Sequence, residues 1–146
     1  MRSRHVLFLA PLALAFGCTD PLPGDWEMTQ GWCIDDQACA EGEVVEYPTE
    51  SEANGCVRST TGSLNITDDW DGAFNFLTTL DGSCEYMEFT VRFEIDDIEE
   101  LEKDSFYQID VQFPGFEESL DCRLKNDDNA MDCVSKYTQQ DILFER

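Results

Sequence analysis

Apolar and polar residues alternate along residues 56–146, with the two-residue period of β-strands that bury one face. Short segments rich in Asp, Gly, Pro or Gln interrupt the alternation, and these residues favour turns. The pattern therefore predicts seven consecutive strands joined by hairpins. The predicted turns lie at Trp70, at Asp81-Gly82, in the loop 96–104, at Pro114-Gly115, at Asp127-Asp128 and at Gln139-Gln140.

Folding the chain at these turns places apolar residues opposite apolar residues on one continuous face. A slip of one residue would move a whole apolar set to the other face, so turns that agree favour one antiparallel sheet. The opposite face carries side chains such as Glu88, Asp110 and Arg123 and is expected to be solvated. The predicted pairs include Leu64–Phe76, Phe74–Phe89, Phe93–Tyr107, Ile109–Leu124, Leu124–Met131, Cys122–Cys133 and Tyr137–Ile142.

The N-terminal part is less regular. Residues 26–30 and 44–47 predict two further strands with a loop between them, and residues 99–103 predict one helical turn at a rim. A one-sided sheet of this length closes most simply into a barrel, because closure removes exposed edge strands. We therefore expect an all-β domain over residues 25–146: an antiparallel up-and-down meander of about eight strands, closed or nearly closed and stabilised by disulfides.

The first residues have the character of an export signal. Arg2 and Arg4 precede an apolar run over residues 6–16, which is too short to span a bilayer. The segment Leu14-Ala15-Phe16-Gly17-Cys18 resembles the lipobox of bacterial lipoproteins. The resemblance implies a signal peptide over residues 1–17, acylation of Cys18, a short tether over residues 18–24, and anchoring to the cell envelope, expected at the outer membrane. The alternative is a cleaved secretory signal with Cys18 free or paired.

The chain has seven cysteines, of which six remain when Cys18 is assigned to the lipid. An even number in an exported chain favours disulfides. Cys122 and Cys133 lie opposite each other on facing predicted strands, where Cβ atoms are about 4.5–5.5 Å apart, close to the disulfide distance. The absence of a CxxC motif disfavours metal or redox chemistry. The preferred pairs are Cys122–Cys133, Cys33–Cys39 and Cys56–Cys84, the last two being less determined among the 15 possible pairings.

The charge of the chain limits its partners. Nine Lys and Arg against 32 Asp and Glu give a formal net charge of −23, and removal of Arg2 and Arg4 with the signal makes it −25. A phosphate backbone must be met by a basic face, so we expect no nucleic-acid partner. Anionic lipid would repel the surface as well, which leaves the acyl chain on Cys18 as the contact with the bilayer.

The candidate chemistry is sparse. His5 is the one histidine and is lost with the signal, which excludes Ser-His-Asp and Cys-His catalysis. We expect no enzyme activity and no cofactor. Acidic turns suggest a weaker alternative, a calcium-stabilised domain, although Asp is also a preferred turn residue. These turns hold Asp68, Asp69 and Asp71, and Asp127 and Asp128.

Aromatic residues are concentrated on the predicted apolar face. They would either line a pocket for a small apolar ligand inside the barrel or fill the interior as a solid core, and their density favours the core. The candidate ligand-binding residues are Phe74, Phe76, Phe89, Phe93, Tyr107 and Phe113.

Gly24-Asp25-Trp26 resembles the Gly-x-Trp motif of the lipocalin-like (calycin) barrels. In that family the tryptophan plugs one end of the barrel and an arginine near the closing strand packs over it. The resemblance implies that Trp26 plugs this barrel, that Arg146 is the arginine, and that the barrel has a possible apolar ligand.

Two functions follow as expectations. The first is a non-enzymatic, membrane-anchored lipoprotein whose barrel binds a small apolar molecule. The second is an interaction or structural module of the envelope, with a solid core and an acidic surface. The sequence leaves the oligomeric state open.

Overall fold

The computed structural model describes residues 19–34, 40, 43–113 and 115–146. Cys18 and Cys39 lie outside the described residues, as do the predicted signal peptide and most of the loop after Ile34. No helix of the described part is long and apolar enough to cross a bilayer. The strands are β1 (Gly24–Trp32), β2 (Val44–Glu46), β3 (Thr49–Ala53), β4 (Cys56–Ile66), β5 (Gly72–Gly82), β6 (Met87–Glu102), β7 (Phe106–Phe113), β8 (Phe116–Lys125), β9 (Ala130–Ser135) and β10 (Asp141–Glu145).

The predicted all-β meander is confirmed. Strands β4 to β10 pair in chain order, β10 pairs with β1, and β1 pairs with β4, so eight antiparallel strands close into a barrel. The first half of β1 pairs with β4 and its last three residues pair with β2. Strand β3 pairs with the first half of β4. The two short strands β2 and β3 thus occupy the gap where β1 and β4 separate.

The predicted faces are mostly right, whereas several registers are wrong. The turn at Asp127-Asp128 gives the predicted pairs, with Leu124 opposite Met131. The predicted Phe93–Tyr107 pair is wrong by seven positions, because Glu100 lies opposite Tyr107 after a register shift in β6. The other wrong pairs shift by two or four positions: Phe74 lies opposite Phe93, and Ile109 lies opposite Leu120. Because side chains alternate along a strand, an even shift keeps each residue on its predicted face. The other corrected pairs are Leu64–Phe74 and Ile142–Cys133.

The loop predicted over residues 96–104 is wrong, and so is the helical turn over residues 99–103. Strand β6 continues to Glu102, with register shifts between Ile95 and Asp97 and between Glu100 and Glu102. An extra residue in one strand moves the following side chains to the other face. Ile95 faces inward before the first shift and Ile98 is buried after it, a spacing of three that the strand period does not fit. The bulge therefore interrupts the apolar–polar alternation of the sequence in the same way that a loop would.

The barrel has two different ends, which we name by what they hold. At the plugged end lie Trp26, Arg146 and the turns β4–β5, β6–β7 and β8–β9. At the open end lie the last residues of β1, the first residues of β4 and the β5–β6 connection. The interior between them is filled by large apolar side chains with less than 2% exposure, among them Phe74, Phe76 and Ile109.

Candidate functional site

The plugged end is closed by Trp26. Its side chain is fully buried, and its Nε1 donates a hydrogen bond of 3.0 Å to the backbone oxygen of Leu22. The Arg146 guanidinium lies 4.1 Å from the centre of the indole ring, a cation–π distance. Gly24 has φ +141°, and a Cβ there would lie 3.1 Å from Arg146 Nη1. The three residues that the calycin resemblance singled out are therefore in one place.

Arg146 also holds the chain that enters the barrel. Its guanidinium donates to backbone oxygens at 2.7–3.1 Å, which fixes both the segment before β1 and the β8–β9 turn. These oxygens belong to Pro21, Pro23 and Asp128. Three donors of the guanidinium are thereby used to hold the structure of this end.

The segment 20–23 packs against the plugged end instead of forming a free tether. Leu22 is fully buried in the core. Asp20 accepts hydrogen bonds from Trp70 Nε1 at 2.7 Å and from the Tyr107 hydroxyl at 3.3 Å. Burial raises the pKa of Tyr107, and the nearby carboxylates Asp20 and Glu100 raise it further. The folded domain therefore begins before residue 25.

Aromatic rings contact one another across the open end. Phe113 lies 5.5 Å from Trp32 and 4.7 Å from Phe93, and Phe76 lies 6.0 Å from both Phe93 and Tyr47. These centroid distances are those of directly packed rings. Sequence reasoning missed Trp32 and Tyr47, because they lie in the irregular part of the chain.

The two remaining buried candidates pack elsewhere in the interior. Phe74 lies 5.8 Å from Phe144, and Tyr107 lies 5.8 Å from Trp70 near the plugged end. Five of the six predicted aromatic residues therefore have other rings as neighbours. This arrangement favours a filled interior over a pocket lined by these side chains. Phe89 is the exception, since 39% of it is exposed.

Phe89 belongs to an apolar surface at the open end, where the inner face of the sheet is exposed. Met87, Phe89 and Val91 lie opposite Leu80, Thr78 and Phe76, and opposite residues of an antiparallel pair share a face. Their exposures are 54%, 39% and 39%. We call Met87, Phe89 and Val91 the shelf. Their face is the inner one, so the alternation predicted it correctly, but the shelf stays partly exposed in the described fold.

The shelf is exposed because the neighbouring strand ends early. Pairs between β6 and β7 begin at Ile95, and β7 ends at Phe113. Residues 87–92 of β6 therefore pair with β5 alone among the described strands. This six-residue segment is an open sheet edge.

Two contacts fix the position of the shelf. The Cys56–Cys84 disulfide joins the start of β4 to the β5–β6 connection, as the preferred pairing predicts. The Arg58 guanidinium lies 5.4 Å from the centre of the Phe89 ring.

The disulfide Cys122–Cys133 is also confirmed, and it lies fully buried inside the barrel. Cys33 is disulfide-bonded, but its predicted partner Cys39 lies outside the described residues.

One carboxylate lies inside the barrel wall, which sequence reasoning missed. Glu118 is 3% exposed and accepts hydrogen bonds from Ser135 Oγ at 2.9 Å and from the backbone N–H of Tyr137 at 3.3 Å. Its position in the sequence could have indicated this burial, because Glu118 lies two residues before Leu120 and therefore on the same inward-facing side of β8. Its contacts hold the β9–β10 connection against β8, so its role is structural.

The outer wall carries an acidic depression of about 470 Å³ beside the first bulge of β6. Its lining includes Asp96, Asp97, Asp110 and Glu117. Within the described ranges, no group of three or more Asp, Glu, Cys or His side chains is arranged to hold a metal ion. In the predicted calcium turns, Trp70, Asp127 and Asp128 have positive φ, the conformation of tight turns.

Comparison of the chain with protein-family models, curated proteins and solved structures gives no match. The resemblance to calycin barrels therefore rests on the closed eight-stranded barrel and on the contacts of Gly24, Trp26 and Arg146.

Proposed function

We propose that this chain is an exported, membrane-anchored β-barrel lipoprotein that acts as an interaction module of the cell envelope. The observation that carries the proposal is where the aromatic and apolar side chains lie. Five of them pack against other rings in the interior, while the shelf stays outside as apolar surface. A contiguous exposed apolar patch on a soluble domain is typical of an interaction site.

The anchor is acylated Cys18, and the packing of the next residues gives the barrel an orientation. Asp20 and Leu22 are held at the plugged end. Two residues, Cys18 and Thr19, then separate the lipid from the fold and span about 7 Å at most. The plugged end would face the membrane, and the shelf at the other end would face away from it. The disulfides Cys56–Cys84 and Cys122–Cys133 support export, since such bonds persist in oxidising compartments.

A catalytic role has little support in the residues. The chain has no histidine after residue 5. Glu118, the buried carboxylate, is occupied by hydrogen bonds to the β9–β10 connection. The exposed carboxylates are spread over an acidic surface without a metal-binding arrangement in the described residues.

Labelled palmitate fed to producing bacteria is expected to label the wild-type protein and not the Cys18→Ala variant, because the thiol is the acylation site. Thr19→Ala is the matched control and should keep the label. The readout is the labelled band of the purified protein together with the mass of its N-terminal peptide. Label retained in Cys18→Ala, or absent from the wild type, would contradict the anchor.

A small apolar ligand is the second candidate, and the shelf is the observation that favours it. We expect titration with the fluorescent probe N-phenyl-1-naphthylamine to show no saturable one-to-one binding, because aromatic rings fill the interior. Saturable binding lost in Val91→Glu but kept in Val134→Glu would place a ligand on the shelf and replace our proposal. Val134 is a matched control, since it is 38% exposed on the outer face. Binding kept in both variants would place the ligand inside the barrel.

A further inference from the structure

The open edge of β6 is a surface that backbone hydrogen bonds can extend. Its six residues, 87–92, have β5 on one side and no described strand on the other. They span about 20 Å, and unpaired edges of this kind readily accept another strand. Most natural edges are shortened, charged or covered. This edge carries Glu88 and Arg92 on its outer face, but its inner face is the apolar shelf.

The order of side chains along the edge is self-complementary. The segment reads Met-Glu-Phe-Thr-Val-Arg. If two copies pair antiparallel with Thr90 on the two-fold axis, Glu88 of each copy faces Arg92 of the other. In the same register Phe89 faces Val91. Moving the axis to Phe89 would place Glu88 opposite Thr90 and remove both ion pairs.

We propose that a second copy of this chain pairs with the β6 edge in this register. The pairing joins two sheets and unites the two shelves in one apolar strip, because opposite residues share a face. Cross-strand apolar and opposite-charge pairs both stabilise such contacts. The net charge of −23 repels the copies, so the specific contacts must supply the attraction.

Arg92 is positioned for this role within its own chain. Its Nε and Nη2 donate to Glu94 at 2.7 and 3.2 Å, which holds the guanidinium on the outer face. Nη1 has a long contact of 3.5 Å with Asn75. A guanidinium has five N–H donors, so a second carboxylate can bind without displacing the first.

The two-fold axis gives the dimer a polarity. Antiparallel strands point the two barrels in opposite directions, so the plugged ends lie at opposite ends of the dimer. If the proposed anchor is correct, the arrangement fits copies on two apposed surfaces better than neighbours in one membrane. The dimer itself does not depend on the anchor, because the edge is a property of the folded domain.

The test is sedimentation equilibrium of the purified full-length product in detergent, with charge reversals at the edge. We expect a concentration-dependent dimer. Arg92→Glu alone and Glu88→Arg alone should each raise the dissociation constant at least tenfold, because each places like charges opposite one another. The double variant should return it to within about threefold of the wild type, because the swap restores both ion pairs. A protein that stays monomeric, or a dimer indifferent to single reversals, overturns the proposal.

A crosslink tests the register separately. Thr90→Cys should give an interchain disulfide on mild oxidation, because residue 90 faces itself across the axis. Thr79→Cys is the matched control: it lies one strand further in, opposite Glu88, and should remain uncrosslinked. Equal crosslinking of both variants would mean that the copies meet in another way.

Discussion

Replacing Trp26 with alanine is expected to lower the free energy of unfolding by about 3–5 kcal/mol, the usual cost of removing a large buried aromatic side chain. The indole is fully buried, holds the Leu22 backbone oxygen and supports the Arg146 guanidinium. Its loss leaves a cavity, and the cation above it loses its partner. Urea unfolding followed by circular dichroism measures the effect.

Tyr137→Ala is the control for the loss of an aromatic ring. Tyr137 is 83% exposed, so its replacement should change the free energy of unfolding by less than about 0.5 kcal/mol. A similar small change in Trp26→Ala would mean that the plugged end does not stabilise the barrel. If Trp26→Ala lowers the free energy of unfolding but leaves the dimer dissociation constant unchanged, the plugged end does not contribute to pairing at the β6 edge.

Removing the Cys122–Cys133 disulfide by a double alanine substitution is expected to cost about 3–5 kcal/mol. Restricting the unfolded chain accounts for about 3 kcal/mol at a separation of 11 residues, and replacing two buried sulfur atoms with smaller groups adds a packing loss. Urea unfolding of the double variant against the wild type measures the sum.

The Cys56–Cys84 double alanine variant is the matched comparison. Its separation of 28 residues makes the chain-entropy contribution slightly larger, but both cysteines are only partly buried. We expect removal of the buried Cys122–Cys133 bridge to lower the free energy of unfolding more, because a packing loss adds to the chain-entropy contribution. The reverse order would mean that loop length alone sets the stabilisation. Unchanged stability in both variants would show that neither bridge constrains the unfolded chain.

Much of the plugged end could be predicted from the sequence. The resemblance of Gly24-Asp25-Trp26 to the Gly-x-Trp motif of calycin barrels implied that Trp26 plugs this end and that Arg146, after the closing strand, packs over it. The docking of Leu22 could not be predicted, because a single leucine among prolines and polar residues carries no period. Its burial depends on a pocket that only the closed barrel forms.

The open end was less predictable. Phe89 has the right parity for the interior, and the sequence alone places it with Phe76 and Phe93. Its exposure follows from where β7 ends, a property of a different strand. Glu118 shows the converse: a carboxylate at an inward position is tolerated because Ser135 and the Tyr137 backbone reach it.

The alternation of side chains thus determined most of the strands, their faces outside the bulged part of β6 and the closed meander, because burial on one face imposes a two-residue period on each strand. Register, bulges and exposure were decided by the tertiary structure. An even shift keeps the same face, so the pattern cannot distinguish Phe74 opposite Phe89 from Phe74 opposite Phe93. The shelf exists because burial depends on the neighbouring strand as well as on the residue, and beside residues 87–92 that strand is missing from the described fold.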